Sequence, residues 1–163
     1  MAPEAAVVRV GVISDTHGLL RPEAIAALRG VELILHAGDI GTPVVLLGLG
    51  ALAPVKAVRG NCDRGEWCVP YPERLTVRIA GVEILVLHDR HELLGEPPGA
   101  AVRVVVSGHS HKPLLEERDG VLYLNPGSAG RRRFHLPVTL ALLTLDKGRA
   151  RAEIVELVGE HVP

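Results

Sequence analysis

A chain of 163 residues that is 47% hydrophobic is long enough to bury a real core, and reads as a single domain over residues 1–163. Its 18 basic and 19 acidic side chains nearly cancel, so no whole-molecule field draws in DNA or RNA and no specific nucleic-acid binding is inferred. The least polar stretch, Ile40 to Val55, is broken by Gly41, Pro43, Gly48, Gly50 and Pro54 and falls short of the ~20 apolar residues of a membrane span.

Met1 to Val10 carries no basic region ahead of a long apolar run, so no signal peptide is expected. Cys62 and Cys68 are too few for a disulfide framework, and a reduced pair in a cytoplasmic protein is the reading adopted. With only Trp67, Tyr71, Tyr123 and Phe134 as aromatics, the core must be built from Val, Leu, Ile and Ala.

In chain order, Val7–Ile13 is a continuous apolar run with one Arg, the pattern of a buried parallel strand. Arg21 to Arg29 places Ala24, Ile25 and Leu28 at helical spacing, with Pro22 near its start and Gly30 past its end. Val31–Leu35 is a second strand. Thr42-Pro43 opens a helix to about Leu49, with Thr42 as N-cap, and Val55–Val58 is a third strand. After residue 70 the pattern changes to hairpins. Arg74–Ala80 and Val82–Leu87 meet at Gly81; Lys112–Arg118 and Val121–Leu124 flank Asp119-Gly120; Val138–Leu145 and Ala150–Val158 flank Asp146-Lys147-Gly148. Val102–Val106 is a further buried strand. Strand–helix alternation followed by hairpins predicts an α/β fold of two packed mixed sheets with helices outside.

The polar residues concentrate in islands at the ends of these strands, where α/β proteins assemble their sites. Asp15 and His17, two apart in a segment read as extended, point the same way and can share a cation, although Asp15 would also serve as a turn cap and His17 as a surface residue. Asp39 follows Gly38; its two oxygens can bridge two cations, and a helix N-cap is the bland alternative. His36, on the same turn, reads as a partner that supports the ligands or simply as a strand-end residue, the latter preferred. Asn61 offers a neutral hard oxygen, or simply a turn residue at positive φ, and Asp63 reads as fixing that loop. His88 ends a strand and is preferred to His91 as the residue facing the site. His109 and His111, at i and i+2 after Gly108, can each offer a ring nitrogen to one pocket. Taken singly, most have a structural explanation; taken together they have none.

These strings, Asp15-Thr16-His17, Gly38-Asp39, Gly60-Asn61-Cys62-Asp63, His88 and Gly108-His109-Ser110-His111, resemble the calcineurin-like metallophosphoesterase superfamily over roughly Val7 to Val158. Leu124-Asn125-Pro126-Gly127-Ser128 and the small size resemble its compact bacterial and archaeal phosphodiesterase branch. The resemblance implies a four-layer sandwich of two mixed β-sheets flanked by α-helices. It also implies two divalent ions, Mn²⁺ first and Ni²⁺, Fe²⁺ or Zn²⁺ as alternatives. Asp15, His17, Asp39 and His111 would hold one ion; Asp39, Asn61, His88 and His109 would hold the other, with Asp39 bridging and a shared hydroxide as nucleophile. Catalytic roles would fall to Asp39, Asn61, Cys62 and His109, and substrate contacts to Asn61, Ser128 and one arginine of Arg131–Arg133, taken as Arg132.

Two departures stand out. Cys62 occupies the position where the broad pattern has a proton-donating His, and general acid catalysis is typically worth roughly 10²–10⁴-fold. The expected substrate is therefore a small phosphodiester or nucleotide-like ester with a good leaving group. Asp89 follows His88 where the branch often has Gly, which would narrow access or engage His91. A phosphomonoesterase or nucleotidase is the alternative within the class. A non-catalytic scaffold, as the retromer subunit of this fold, is the alternative outside it, and a Ser/Thr protein phosphatase is disfavoured by the short loops. A homo-oligomer is compatible with the sequence, but no stretch marks its interface.

Overall fold

The first half alternates strand and helix: β1 (Val8–Ile13), α1 (Pro22–Ala27), β2 (Leu33–His36), α2 (Pro43–Gly50) and β3 (Val55–Ala57). The computed structural model describes residues 7–158; the expected lack of a signal peptide rests largely on residues 1–6, which lie outside that range. Pro22 and Pro43 each sit in a first helical turn, where the fixed φ suits the helix and the missing N–H is no loss. Thr42 occupies the N-cap position as expected, but its side chain makes no capping hydrogen bond.

The second half contributes β4 (Arg74–Ile79), β5 (Val82–Leu87), β6 (Val102–Val106), β7 (Leu114–Arg118), β8 (Val121–Asn125), β9 (Val138–Asp146) and β10 (Arg149–Val158). Short 3₁₀ helices at Glu66–Cys68 and Arg90–Leu94 were not foreseen. All three hairpins turn on two residues of positive φ: Ala80-Gly81, Asp119-Gly120 and Lys147-Gly148. Such two-residue turns match the right-handed twist of paired strands. They correct the expected one-residue turn at Gly81 and the three-residue turn at Asp146–Gly148.

Two five-stranded mixed sheets result, ordered β10-β9-β1-β2-β3 and β4-β5-β6-β8-β7. In the first, β1, β2 and β3 are parallel and β9 returns antiparallel beside β1; in the second, β5, β6 and β8 are parallel. Alternation sorts each strand between two faces. Val10, Val12, Leu35 and Leu143 of the first sheet pack against Ile84, Val86, Val104 and Val106 of the second. Ile13, Ile34 and Leu140 face the other way, onto Leu28, which caps the C-terminus of α1, and onto Val45 and Leu49 of α2. The outer face of the second sheet, with Leu85, Leu87 and Val105, is covered more thinly, by Leu93 of the Arg90–Leu94 turn. The helical layers are therefore unequal, and the loops following β1, β2, β3, β5 and β6 are left to build the site.

Candidate metal centre

Those five loops deliver the expected side chains to one place. Asp15 Oδ1 lies 3.3 Å from His111 Nε2, 3.8 Å from His17 Nε2 and 3.9 Å from His88 Nε2. Asp39 Oδ2 lies 3.3 Å from His88 Nε2 and 3.7 Å from His17 Nε2. His109 Nδ1 is 3.2 Å from Asn61 Oδ1 and 3.3 Å from His88 Nε2. Asp15, His17, Asp39, Asn61, His88, His109 and His111 thus form one connected cluster spanning both sheets.

The local geometry that achieves this is not the extended one expected. Asp15, His17, Asp39, His109 and His111 all have left-handed backbone, with φ of 54°, 45°, 54°, 71° and 63°. For non-glycine residues this costs on the order of 1–3 kcal/mol each, and such strain gathers at functional sites. The i, i+2 pairs converge because these loops curl, not because they are extended strands. Gly38 and Gly108 make the curls fit. A Cβ on Gly38 would lie 2.8 Å from both Gly60 N and His88 Nδ1, and one on Gly108 would lie 2.6 Å from Asp15 Oδ2.

A second layer of polar residues fixes the loops. The Asp63 carboxylate accepts from Ile40 N, Gly41 N and Gly60 N at 3.2, 3.0 and 2.8 Å, tying the Asp39 loop to the Asn61 loop. Its expected role as a loop anchor agrees with these bonds. Ser14 Oγ donates to Asp15 Oδ2 at 2.6 Å, and Asn125 Nδ2 donates to Gly108 O at 2.9 Å. His36 is fully buried and more than a strand-end residue. Its Nδ1 accepts from Gly38 N at 3.1 Å, which leaves Nε2–H to donate to Thr16 Oγ1 at 3.0 Å, while Thr16 donates to Ile40 O. The roles of Ser14, Thr16 and Asn125 escaped the sequence reading because Ser, Thr and Asn beside loops are common. Only their burial marks them.

Two expected substrate contacts are placed elsewhere. Ser128 is buried and its hydroxyl donates to Asp15 O at 3.0 Å, so it holds the first loop from behind. Arg132 Nη2 reaches back to Val158 O at 3.5 Å. The charge of Arg133 is felt at His17 and Cys62. Cys62 is exposed and free, as the buried Cys68 is also, and Cys62 N donates to Asp39 Oδ1 at 2.9 Å.

Charge is strongly organised here. Burial opposes ionisation of Asp15, but contact with His111, the hydrogen bond from Ser14 and the charge of His88 outweigh it and hold the carboxyl below its usual range. Asp39 is likewise burdened by burial, yet His88 and the Cys62 N–H hold it well below the usual carboxylate range. Burial alone would lower His88; Asp39 and Asp15 reverse that and raise it to about 9. Burial lowers His17 and takes His36 down to about 4, so His36 is neutral. Burial and the neighbouring Asp39 push the Cys62 thiol up, so it keeps its proton at neutral pH.

Buried, ionised carboxylates facing several imidazoles are the donor set of a divalent-cation site. Asp15, His17 and His111 offer ligand atoms all within 4.8 Å of one another, as do Asp15, Asp39 and His88, and His17, Asp39 and Cys62. Among the described residues, Asp15 Oδ1, His17 Nε2 and His111 Nδ1 are buried without a hydrogen-bond partner, and the first two face each other within the cluster. His88 Nδ1, by contrast, is committed to Ala37 O at 2.7 Å, which leaves Nε2 facing inward. These residues fit a metal.

A model of the calcineurin-like phosphoesterase superfamily domain matches residues 8–148. The chain belongs to that superfamily. Within it, the protein is 39% identical over 160 residues to a probable metallophosphoesterase of Methanothermobacter thermautotrophicus, covering 90% of this chain and 91% of that one. A phosphodiesterase of Methanocaldococcus jannaschii is 28% identical, with 91% of this chain and 99% of the other covered. A solved archaeal phosphodiesterase superposes with a TM-score of 0.75 at 27% identity, over 91% of this chain and 100% of its own. A Vps29 from Cryptosporidium parvum shares the fold at a TM-score of 0.76 and 20% identity, covering 93% and 98% of the two chains. This metallophosphoesterase domain has, among its described residues, no helix long and apolar enough to cross a membrane.

Proposed function

We propose that this chain hydrolyses small phosphodiesters with the help of two divalent ions. Asp15, His17, Asp39 and His111 would hold one ion, and Asp39, Asn61, His88 and His109 the other, with Mn²⁺ the first choice and Ni²⁺, Fe²⁺ or Zn²⁺ alternatives that mixed nitrogen and oxygen donors accept equally. Bound there, such ions supply Lewis-acid polarisation of a phosphoryl oxygen and a water acidified towards neutrality. The observation that carries this reading is the convergence of two buried carboxylates with His17, His88 and His111, at the distances given above.

The remaining chemistry belongs to the chain. Asn61 and an arginine of the Arg131–Arg133 run would grip the phosphate, the charge of Arg133 being felt at His17 and Cys62. Arg forks match phosphate oxygens in two-point contacts. Cys62 keeps its proton beside Asp39, but a thiol is a weak acid for a departing alkoxide. The enzyme therefore favours diesters with good leaving groups over alkyl monoesters. The inward-facing, unpartnered Asp15 Oδ1 and His17 Nε2 favour a metal-holding role for the cluster over a purely structural one.

The test is hydrolysis of bis-p-nitrophenyl phosphate against p-nitrophenyl phosphate by protein stripped of metal and refilled with Mn²⁺, Ni²⁺ or Zn²⁺. Metal-restored diesterase activity exceeding monoesterase activity, and lost by at least 10²-fold in Asp39→Asn, is expected for an electrostatic role of this kind (typically ~10²–10³-fold). No activity with any metal would contradict the reading and favour the scaffold.

A further inference from the structure

Asp89 sits immediately after His88 and caps the Arg90–Leu94 3₁₀ helix. Its Oδ1 accepts from His91 N at 3.0 Å and faces His91 Nδ1 at 2.9 Å, so the carboxylate is held firmly from one side. Its other oxygen, Oδ2, faces His109 Nε2 at 3.8 Å, longer than a hydrogen bond. The opposite nitrogen of that same ring, Nδ1, is the one turned to Asn61 Oδ1 and His88 Nε2. His109 is thus strung between the cluster and a tethered carboxylate.

The ring needs such a partner. The His109 side chain is 43% exposed, so packing alone does not set its angle, whereas His88 is buried and has Ala37 O to fix it. A metal-ligating histidine generally directs its other ring nitrogen at a carboxylate or carbonyl, which selects the tautomer and orients the ring. Ala37 O serves His88 in this way.

We infer that Asp89 does the same for His109: it is a positioning residue that keeps Nε2 protonated and Nδ1 presented to the cluster. The inference rests on the placement of His109 among the ligands proposed above. His91 then acts one step further out, by fixing the Asp89 carboxylate.

The experiment is a calorimetric Mn²⁺ titration of the metal-stripped full chain, paired with Co²⁺ absorption spectra. Asp89→Asn keeps an oxygen for His91 but offers His109 Nε2–H an amide N–H₂, which cannot accept. One metal equivalent is expected to weaken by about 10–100-fold, the usual cost of losing such an outer partner, while the other stays within about twofold. Asp89→Glu should recover part of the loss, and the Co²⁺ band of the weakened equivalent should change. Unchanged affinities in Asp89→Asn, or equal weakening of both equivalents, would overturn the inference. His109→Ala separates the two claims. If it leaves both equivalents intact, the ligand assignment falls and this inference with it; if it weakens one and Asp89→Asn weakens none, this inference alone falls.

Discussion

His88 Nδ1 lies 2.7 Å from the carbonyl oxygen of Ala37, and that single hydrogen bond joins the end of β5 in one sheet to the loop after β2 in the other. The site is therefore also a seam between the sheets. In metal-free protein the raised His88 supplies positive charge between two buried carboxylates. Removing it leaves those charges uncompensated, which is typically costly by about 3–5 kcal/mol. His88→Ala should lower the urea stability of metal-free protein by about that amount and abolish one metal equivalent. A loss below about 1 kcal/mol would mean the seam carries little of the stability.

Asp63 and Leu28 allow stability and site geometry to be separated. Asp63→Ala strips three backbone N–H groups of their charged acceptor, at about 1–3 kcal/mol for each group left unmet, and frees the loops bearing Asp39 and Asn61. Leu28→Ala empties a fully buried position under α1 and should cost a similar 2–5 kcal/mol. Below the melting range, Asp63→Ala should bind metal at least tenfold more weakly while Leu28→Ala binds normally. Equal metal affinity in the two, measured by calorimetry at 15 °C, would refute the anchoring role of Asp63.

Gly108→Ala places a methyl against Ser14 Oγ and the Asp15 carboxylate. The surrounding sheets are untouched, so the far-ultraviolet circular dichroism should stay native while Asp15 and His109 are pushed off position. Metal binding and activity should fall together by at least tenfold. A fully active Gly108→Ala protein would show that this close approach is not needed.

His36 makes a signed pH prediction. Its folded pKa is depressed to about 4 from the 6.5 of the unfolded residue. Between those values the unfolded chain holds a proton that the folded chain does not, so stability contributed by this residue rises with pH across the window and is lost on acidification. The slope is about 1.4 kcal/mol per pH unit for one such group. His36→Gln can keep an acceptor for Gly38 N and a donor for Thr16 without titrating. Urea denaturation from pH 6.5 to 4.5 should therefore be shallower in pH by about one proton in the variant; an identical slope would place His36 in a different protonation state.

Much of this was legible in the sequence, for identifiable reasons. The strands could be read because Val7–Ile13, Val82–Leu87 and Val102–Val106 are apolar runs bounded by Gly or polar residues, and buried strands leave that mark. The seven cluster residues stood out because Asp, Asn and His at so many strand ends have no shared structural purpose. What stayed hidden depends on three-dimensional contact. No local pattern says that Asp15 and His111 adopt left-handed backbone, that Ser128 turns behind Asp15, or that Arg132 reaches Val158. Nor does it reveal that His36 is a buried neutral link between loops.

The central claim is that Asp39 serves two cations at once, as its position between His17 and His88 suggests. Metal content at saturation, by native mass spectrometry of wild type and Asp39→Asn, tests it most directly. The account predicts two Mn²⁺ per wild-type chain, with binding of both weakened by the single substitution. One ion per chain, or loss of only one in Asp39→Asn, would contradict it.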